Sequence, residues 1–251
     1  MKSLLKSLLE STGYRISKIP EKEAHVPYDR DGLRSIHNHE FMDDPAFRAA
    51  YDRATLTLDP GENYGIQWRV HVALWAANYA AQLPGDFIEC GVNKGFVSSA
   101  ILHNLNWNDL DKTFFLLDSF AGLDPESSTA KDLSSSEKRI ESGFYTNDLD
   151  RVTANFSEWE RVQLVPGFLP ATAAEITSTK IAFIHLDLNA PTPEKETLER
   201  LWDRIVPSGV ILLDDYAYYG YDASKEAIDS VAKKKGTSVL SLPTGQGLLL
   251  K

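Results

Sequence analysis

Beyond Pro84-Gly85 the chain repeats one pattern: a short run of consecutive apolar residues, an amphipathic stretch, and a turn. The runs are Asp86 to Cys90, Thr113 to Leu117, Arg161 to Val165, Ile181 to Leu186 and Val210 to Leu213. Each is too short for a helix and lacks the polar alternation of a half-exposed strand, so both faces must be covered. Helical segments lie between them, and together they predict a doubly wound α/β fold. Phe96 to Leu105 is one such segment. Another is expected to start with Thr192 as N-cap and Pro193 in the first position, with Leu198, Leu201, Trp202 and Ile205 along one face. Pro207-Ser208-Gly209 then reads as a turn into the fifth run, and Asp222 as the cap of a helix reaching Lys235. Two final strands, Ser238 to Leu242 and Gly247 to Leu250, have no helix between them. The sheet is therefore expected to have seven strands, mostly parallel, with an antiparallel edge strand.

Residues 64–251 read as the catalytic-type domain and residues 1–63 as a helical or irregular N-terminal extension, suited to cover an acceptor site or to form a dimer contact. Leu4, Leu5, Leu8 and Leu9 give that extension an apolar helical face, which leaves a homodimer open. Ile66 to Leu83 is apolar nearly all round, as expected of a buried helix. The formal charge of −10 disfavours a nucleic-acid partner, because phosphate binding needs clustered Lys and Arg. The one basic run, Lys233-Lys234-Lys235, closes a helix, where it complements the dipole. No apolar run is long enough for a bilayer, and no signal peptide is read at the start, so neither membrane nor export is expected. A single cysteine, Cys90, excludes an internal disulfide and fits a cytoplasmic location. His37-Asn38-His39-Glu40 reads as a loop rather than a metal site, and His185 as a packed strand residue.

In doubly wound sheets, ligands bind beyond the carboxyl ends of the strands, and that is where the chemistry-bearing residues fall. Glu89-Cys90-Gly91-Val92-Asn93-Lys94-Gly95 ends the first run with a glycine turn. Asn93 stands where dinucleotide binding needs a second glycine, and an acid ahead of the turn suits a cationic amino group better than a pyrophosphate. A purely structural turn is an equal reading. Asp118 ends the second run, where a carboxylate can bond both hydroxyls of a ribose, with Ser119 and Phe120 following. Asp187 ends the fourth run and Asp214-Asp215 the fifth. Three carboxylates brought together on neighbouring strands, with no Lys or Arg nearby, repel unless protonated or bound to a cation, and oxygen ligands select a hard ion such as Mg²⁺. Asn189 offers a further oxygen. Separate capping roles for these acids stay open on spacing alone.

The stretches PGDFIECGVNKG, FLLDSFAGL, VQLVPGFLPAT, IAFIHLDLNAPT and RIVPSGVILLDDY, in that order, resemble the macrocin/mycinamicin (TylF-like) O-methyltransferases. The resemblance implies a Rossmann-like class I methyltransferase domain using S-adenosylmethionine and Mg²⁺ to methylate a hydroxyl, typically of a sugar on a small molecule. It implies that Glu89, Gly91 and Gly95 serve the methionine end of the cofactor, with Tyr64 and Val92 as further cofactor contacts. Asp118, Ser119 and Phe120 would serve the adenosine, and Gly167 and Phe168 the adenine. Asp187, Asp214 and Asp215 would hold the metal, with Asp187 also the base. The chain departs from the pattern at Cys90 to Gly95 and at Asn189, where the family carries a second acid. Thr244-Gly245-Gln246-Gly247 matches nothing in it. A catechol-type phenol as acceptor, a nicotinamide-dependent oxidoreductase and a non-catalytic binding domain are the competing readings.

Overall fold

The computed structural model describes residues 11–12 and 28–251, so the expected apolar helix around Leu4 to Leu9 lies outside the described residues. The chain forms two compact units, Met1–His39 and Glu40–Lys251. In the first, β1 (Tyr28–Arg30) and β2 (Leu33–Ser35) pair antiparallel around Asp31-Gly32. Both turn residues have positive φ, 52° and 70°, which matches the Asp-Gly preference of two-residue hairpin turns. The second unit begins ahead of residue 64. It includes α1 (Pro45–Thr55), whose Asp44 cap accepts from Ala46 N and Phe47 N, and α2 (Gln67–Ala81).

The sheet of the second unit uses β3 (Asp86–Cys90), β4 (Phe114–Asp118), β5 (Val162–Pro166), β6 (Ile181–Leu186), β7 (Ile205–Leu213), β8 (Leu240–Ser241) and β9 (Gly247–Leu250). The strand order is β5-β4-β3-β6-β7-β9-β8. The first five are mutually parallel, and β9 runs antiparallel to both its neighbours. The chain builds outward from β3 in one direction, then crosses to β6 and builds in the other. The crevice beyond the carboxyl ends of the paired strands β3 and β6, where the chain leaves in opposite directions, is the switch point of a doubly wound sheet.

Successive side chains on these strands enter different cores. Phe87, Phe114, Phe183 and Leu212 pack with α1, α2 and α3 (Phe96–Asn104) on one face. Ile88, Phe115, Ile184 and Ile211 pack on the other with α6 (Pro191–Leu201) and α7 (Asp222–Lys234), α4 (Ala130–Glu141) and α5 (Leu149–Asn155) having come earlier in the chain.

Local boundaries differ from the sequence expectation in informative ways. Helix α6 starts at Pro191 with Ala190 as its cap, two residues ahead of Thr192-Pro193, because Pro191 fills the first position equally well. Ile205 leaves the helical face and opens β7. Pro207-Ser208-Gly209 is an irregularity inside that strand: the register passes from Ile181↔Ile205 to Phe183↔Val210. There Ser208 N and Gly209 O bond Lys251 instead. Tyr221, not Asp222, holds the capping position of α7. Trp75 and Tyr79 stack on each other on the outer face of α2, so that helix is buried on one side only. Lys234 and Lys235 pair with Glu199 and Asp203, a solvated helix end rather than a basic patch. No helix of the described residues is long and apolar enough to cross a membrane.

Candidate active site

Parallel pairing places Leu186 of β6 beside Leu213 of β7, so the residues that follow leave the sheet together. Asp187, Asp214 and Asp215 each present a carboxylate oxygen within 4.8 Å of the others. Among the described residues this is the one His/Cys/Asp/Glu group with metal-like spacing, and His37-His39-Glu40 is not such a group. Burial, then repulsion from Asp214 and Asp215, drives the Asp187 carboxyl well above the usual carboxylate range. Burial and Asp214 likewise raise Asp215. Burial would raise Asp214 too, but Arg69 and then His185 outweigh it and hold that carboxyl low.

Arg69 corrects the expectation of acids without a nearby base. From the first turns of α2 its Nη1 donates to Asp214 Oδ2 at 2.6 Å and Asp215 Oδ1 at 2.9 Å, with the guanidinium 4.7 Å from the Tyr218 ring. On the far side, buried His185 lies 3.6 Å from Asp214 Oδ1 through Nε2 and bonds Glu89 Oε1 through Nδ1 at 2.8 Å. Burial alone would lower its pKa; Asp214 and Glu89 overcome that and lift it to about 10, making it an imidazolium. Gln246 Nε2 donates to Asp214 Oδ1 at 3.0 Å, and Thr244 bonds Gln246 in turn. The chain ending that matched nothing in sequence thus steadies one acid of the trio. Asn189 Nδ2 donates to Asp187 Oδ1 at 3.0 Å, while Asn189 Oδ1 is buried without a hydrogen-bond partner among the described residues. Clustered hard oxygens with an orphaned amide oxygen fit a divalent cation, with Arg69 and His185 already offsetting part of the charge.

The glycine turn follows β3. Gly91 sits at φ +88°, and a Cβ there would come 1.9 Å from the Asp187 carbonyl oxygen. Its glycine is required by the crossing of two chain segments at the switch point. Gly95 and Gly167 are also packed, against the Phe156 ring and the Thr172 methyl. Asp118 braces the turn: Val92 N and Asn93 N donate to its Oδ2 at 2.8 Å, and Phe120 N to its Oδ1 at 2.8 Å. A carboxylate has about four acceptor positions, so one at Oδ1 remains for a ligand hydroxyl. Glu89 is buried and spends both oxygens inward, on His185 and on the Ser98 hydroxyl. Ser119 Oγ donates to the Gly122 carbonyl at 2.6 Å, and Phe120 and Val92 are buried in the core beneath. Phe168 lends its carbonyl to Thr172.

Tyr64 stands over the turn, its ring packed on Phe96 and Phe144. Tyr64 Oη and Gln67 Oε1 are buried without hydrogen-bond partners among the described residues. Orphaned polar atoms at this depth mark the place of a polar ligand group, such as the amino acid end of a cofactor. The structure therefore gathers the acids and Asn189 at one point, with Tyr64, Glu89, Gly91 and Asp118 around the adjoining turn.

A family model described as macrocin O-methyltransferase (TylF) matches residues 70–238. The chain belongs to this family. Among relatives of this macrocin O-methyltransferase family member is the 8-demethyl-8-(2,3-dimethoxy-alpha-L-rhamnosyl)-tetracenomycin-C 4'-O-methyltransferase of Streptomyces olivaceus, 29% identical over 62% of this chain and 61% of the relative. The demethyldecarbamoylnovobiocin O-methyltransferase of Streptomyces niveus is 26% identical over 61% of this chain and 60% of the relative. The chain thus spans about three fifths of the length of the relatives it matches. Of solved structures, the O-methyltransferase NovP superposes with a TM-score of 0.61 at 21% identity, over 73% of this chain and 79% of NovP. CalS11, a TDP-rhamnose 3'-O-methyltransferase, superposes with 0.52 at 16% identity, over 86% of this chain and 96% of that one. The fold is the Rossmann-like α/β fold of methyltransferases.

Arg69, Gln67 and Gln246 escaped the sequence reading. Arg69 had a usable signal, as the sole residue of α2 that carries a permanent charge. Gln67 and Gln246 are uncharged and lie far from the acids in sequence, so no local pattern marks them.

Proposed function

We propose that this chain is an S-adenosylmethionine- and divalent-cation-dependent O-methyltransferase whose acceptor is a hydroxyl of a sugar or glycosylated small molecule. The carrying observation is the Asp187, Asp214 and Asp215 cluster within 4.8 Å at the carboxyl edge of the sheet, beside the glycine turn. The names of the two relatives support oxygen as the atom methylated. Tyr64, Gln67 and the turn from Gly91 to Gly95 would take the amino acid end of the cofactor, and Asp118 a ribose hydroxyl. Asp187, Asp214, Asp215 and Asn189 would hold the cation, which when bound acidifies the acceptor hydroxyl. Asp187 orients that hydroxyl and receives its proton while the oxygen attacks the methyl group in line with the departing sulfur. Asn189 fixes the Asp187 carboxylate through its amide. A phenolic acceptor is the second reading, favoured by the exposed Phe144 ring beside Tyr64.

The test is release of S-adenosylhomocysteine across a panel of glycosides and phenols. Transfer should disappear in EDTA and return with Mg²⁺; full activity in EDTA removes the cation from the proposal. Asp187→Ala should lower transfer by about 10³-fold or more while calorimetry shows cofactor affinity within a few-fold of wild type. A collapse of cofactor affinity would give Asp187 a different job.

A further inference from the structure

Arg139 lies in the last turn of α4, where a basic residue ordinarily faces solvent and complements the helix dipole. Its guanidinium is instead half-buried. Nη1 donates to Tyr145 Oη at 2.5 Å and Nη2 reaches Tyr221 Oη at 3.5 Å. The carbon at its centre lies 5.3 Å from the Tyr145 ring and 5.8 Å from the Phe144 ring. Among the described residues no carboxylate stands within ion-pair distance of it. The other enclosed arginines are spent: Arg53 on Glu158 and the Asn155 carbonyl, Arg69 on Asp214 and Asp215, Arg151 on Asp59, Arg204 on the carbonyls of Ile176 and Ser178.

A guanidinium has five N–H donors, and two neutral hydroxyls use only part of them. Both hydroxyls accept from Arg139, which leaves their own protons to donate. Burial raises the Tyr145 phenol to about 12 and also raises Tyr221, so both stay protonated at neutral pH. Donors of one kind, one of them cationic, therefore meet at this point. The place adjoins the acid cluster: Tyr221 N donates to the Tyr218 carbonyl and Tyr218 N to the Asp215 carbonyl, both at 3.2 Å, while Phe144 packs its ring 5.6 Å from that of Tyr64. It is also held. Asn93 of the glycine turn donates to the Phe144 carbonyl at 2.9 Å and accepts from Thr146 N at 3.0 Å.

We propose that Arg139, Tyr145 and Tyr221 form an oxyanion subsite for the methyl acceptor, which carries a phosphate or a carboxylate close to the hydroxyl that faces Asp187. This rests on reading the acid cluster as the methyl-transfer site. Arg139 supplies charge and a planar fork, and the tyrosines complete the donor set around the anion. A chain with a net charge of −10 repels anions overall, so a preference for them has to come from a local site.

The test is equilibrium binding of matched sugars to the full chain saturated with S-adenosylhomocysteine, in EDTA so that no cation contributes. One pair is α-D-glucose 1-phosphate and methyl α-D-glucoside; the other is 4-nitrophenyl β-D-glucuronide and 4-nitrophenyl β-D-glucoside. Wild type should bind at least one anionic member about 10-fold or more tighter than its neutral twin. The pair that shows the preference distinguishes phosphate from carboxylate. Arg139→Met should erase the preference, Arg139→Lys should restore part of it, and Tyr221→Phe should reduce it by a few-fold, with melting temperature and cofactor affinity unchanged. No preference in wild type for either pair, or a preference that survives Arg139→Met, overturns the subsite. A protein that fails to bind S-adenosylhomocysteine at all overturns the methyltransferase reading instead, and the anion preference is then read on the unliganded chain.

Discussion

At Gly91 a single missing methyl group lets the turn after β3 pass against the carbonyl of Asp187. Adding it places carbon 1.9 Å from that oxygen, in a backbone conformation that side chains with a Cβ disfavour. Gly91→Ala should lower stability by about 3 kcal/mol, read from the denaturant midpoint, and should disturb Asp187 before it disturbs any ligand. A variant as stable as wild type would show that the two segments separate without cost. At this scale the sequence was informative about which residues matter and less so about why. Gly91 and Asp118 stood out as ligand contacts, yet Gly91 is dictated by packing and Asp118 spends three acceptor positions on the backbone of its own turns. His185 is the buried strand residue that was expected, but its partners are Glu89 on β3 and Asp214 just beyond β7, both far away in sequence.

Among the elements, α2 was legible as a helix from its apolar run, but the direction of its one permanent charge was not. Only its packing across the sheet brings Arg69 to Asp214 and Asp215. The glycine turn shows the same division. Lys94 is buried there between Asp59 and Glu62, both 3.0 Å away, and Asn93 clamps the chain at Phe144 and Thr146. Asn93→Ala removes both clamp bonds at a partly exposed position, so the expected loss of stability is about 1 kcal/mol. Amide hydrogen exchange should rise selectively over residues 144–146, and acceptor KM should rise more than kcat falls. Unchanged exchange there would mean that aromatic packing on Tyr64 holds the segment by itself. The Pro207-Ser208-Gly209 irregularity was misread for a related reason: turn residues signal a break in the ladder, whereas the pairing of Lys251 keeps the strand continuous.

Across the whole molecule, the packing of α6 on α7 encloses Glu194, and burial first, with the field of Asp215, raises its carboxyl to about 7 from an ordinary 4.5. An acid held more protonated in the folded than the unfolded state destabilises the fold as pH rises from 4.5 to 7, because the unfolded chain ionises first. Glu194→Gln should therefore gain melting temperature relative to wild type between pH 4.5 and pH 8, by the equivalent of roughly 1–3 kcal/mol less the lost helix-end bonds. A difference constant with pH would show that Glu194 does not titrate in that window. The layered α/β architecture, the parallel strands and the positions of the strand-end aspartates were determined by the sequence itself, since apolar runs and turn residues are local signals read within a few positions. What the tertiary structure decided is which distant groups share one place: Arg69 and Gln246 with the acids, Glu89 with His185, and Arg139 with two tyrosines. Those pairings depend on strand order and helix packing, which bring together residues far apart along the chain, and no local periodicity encodes them.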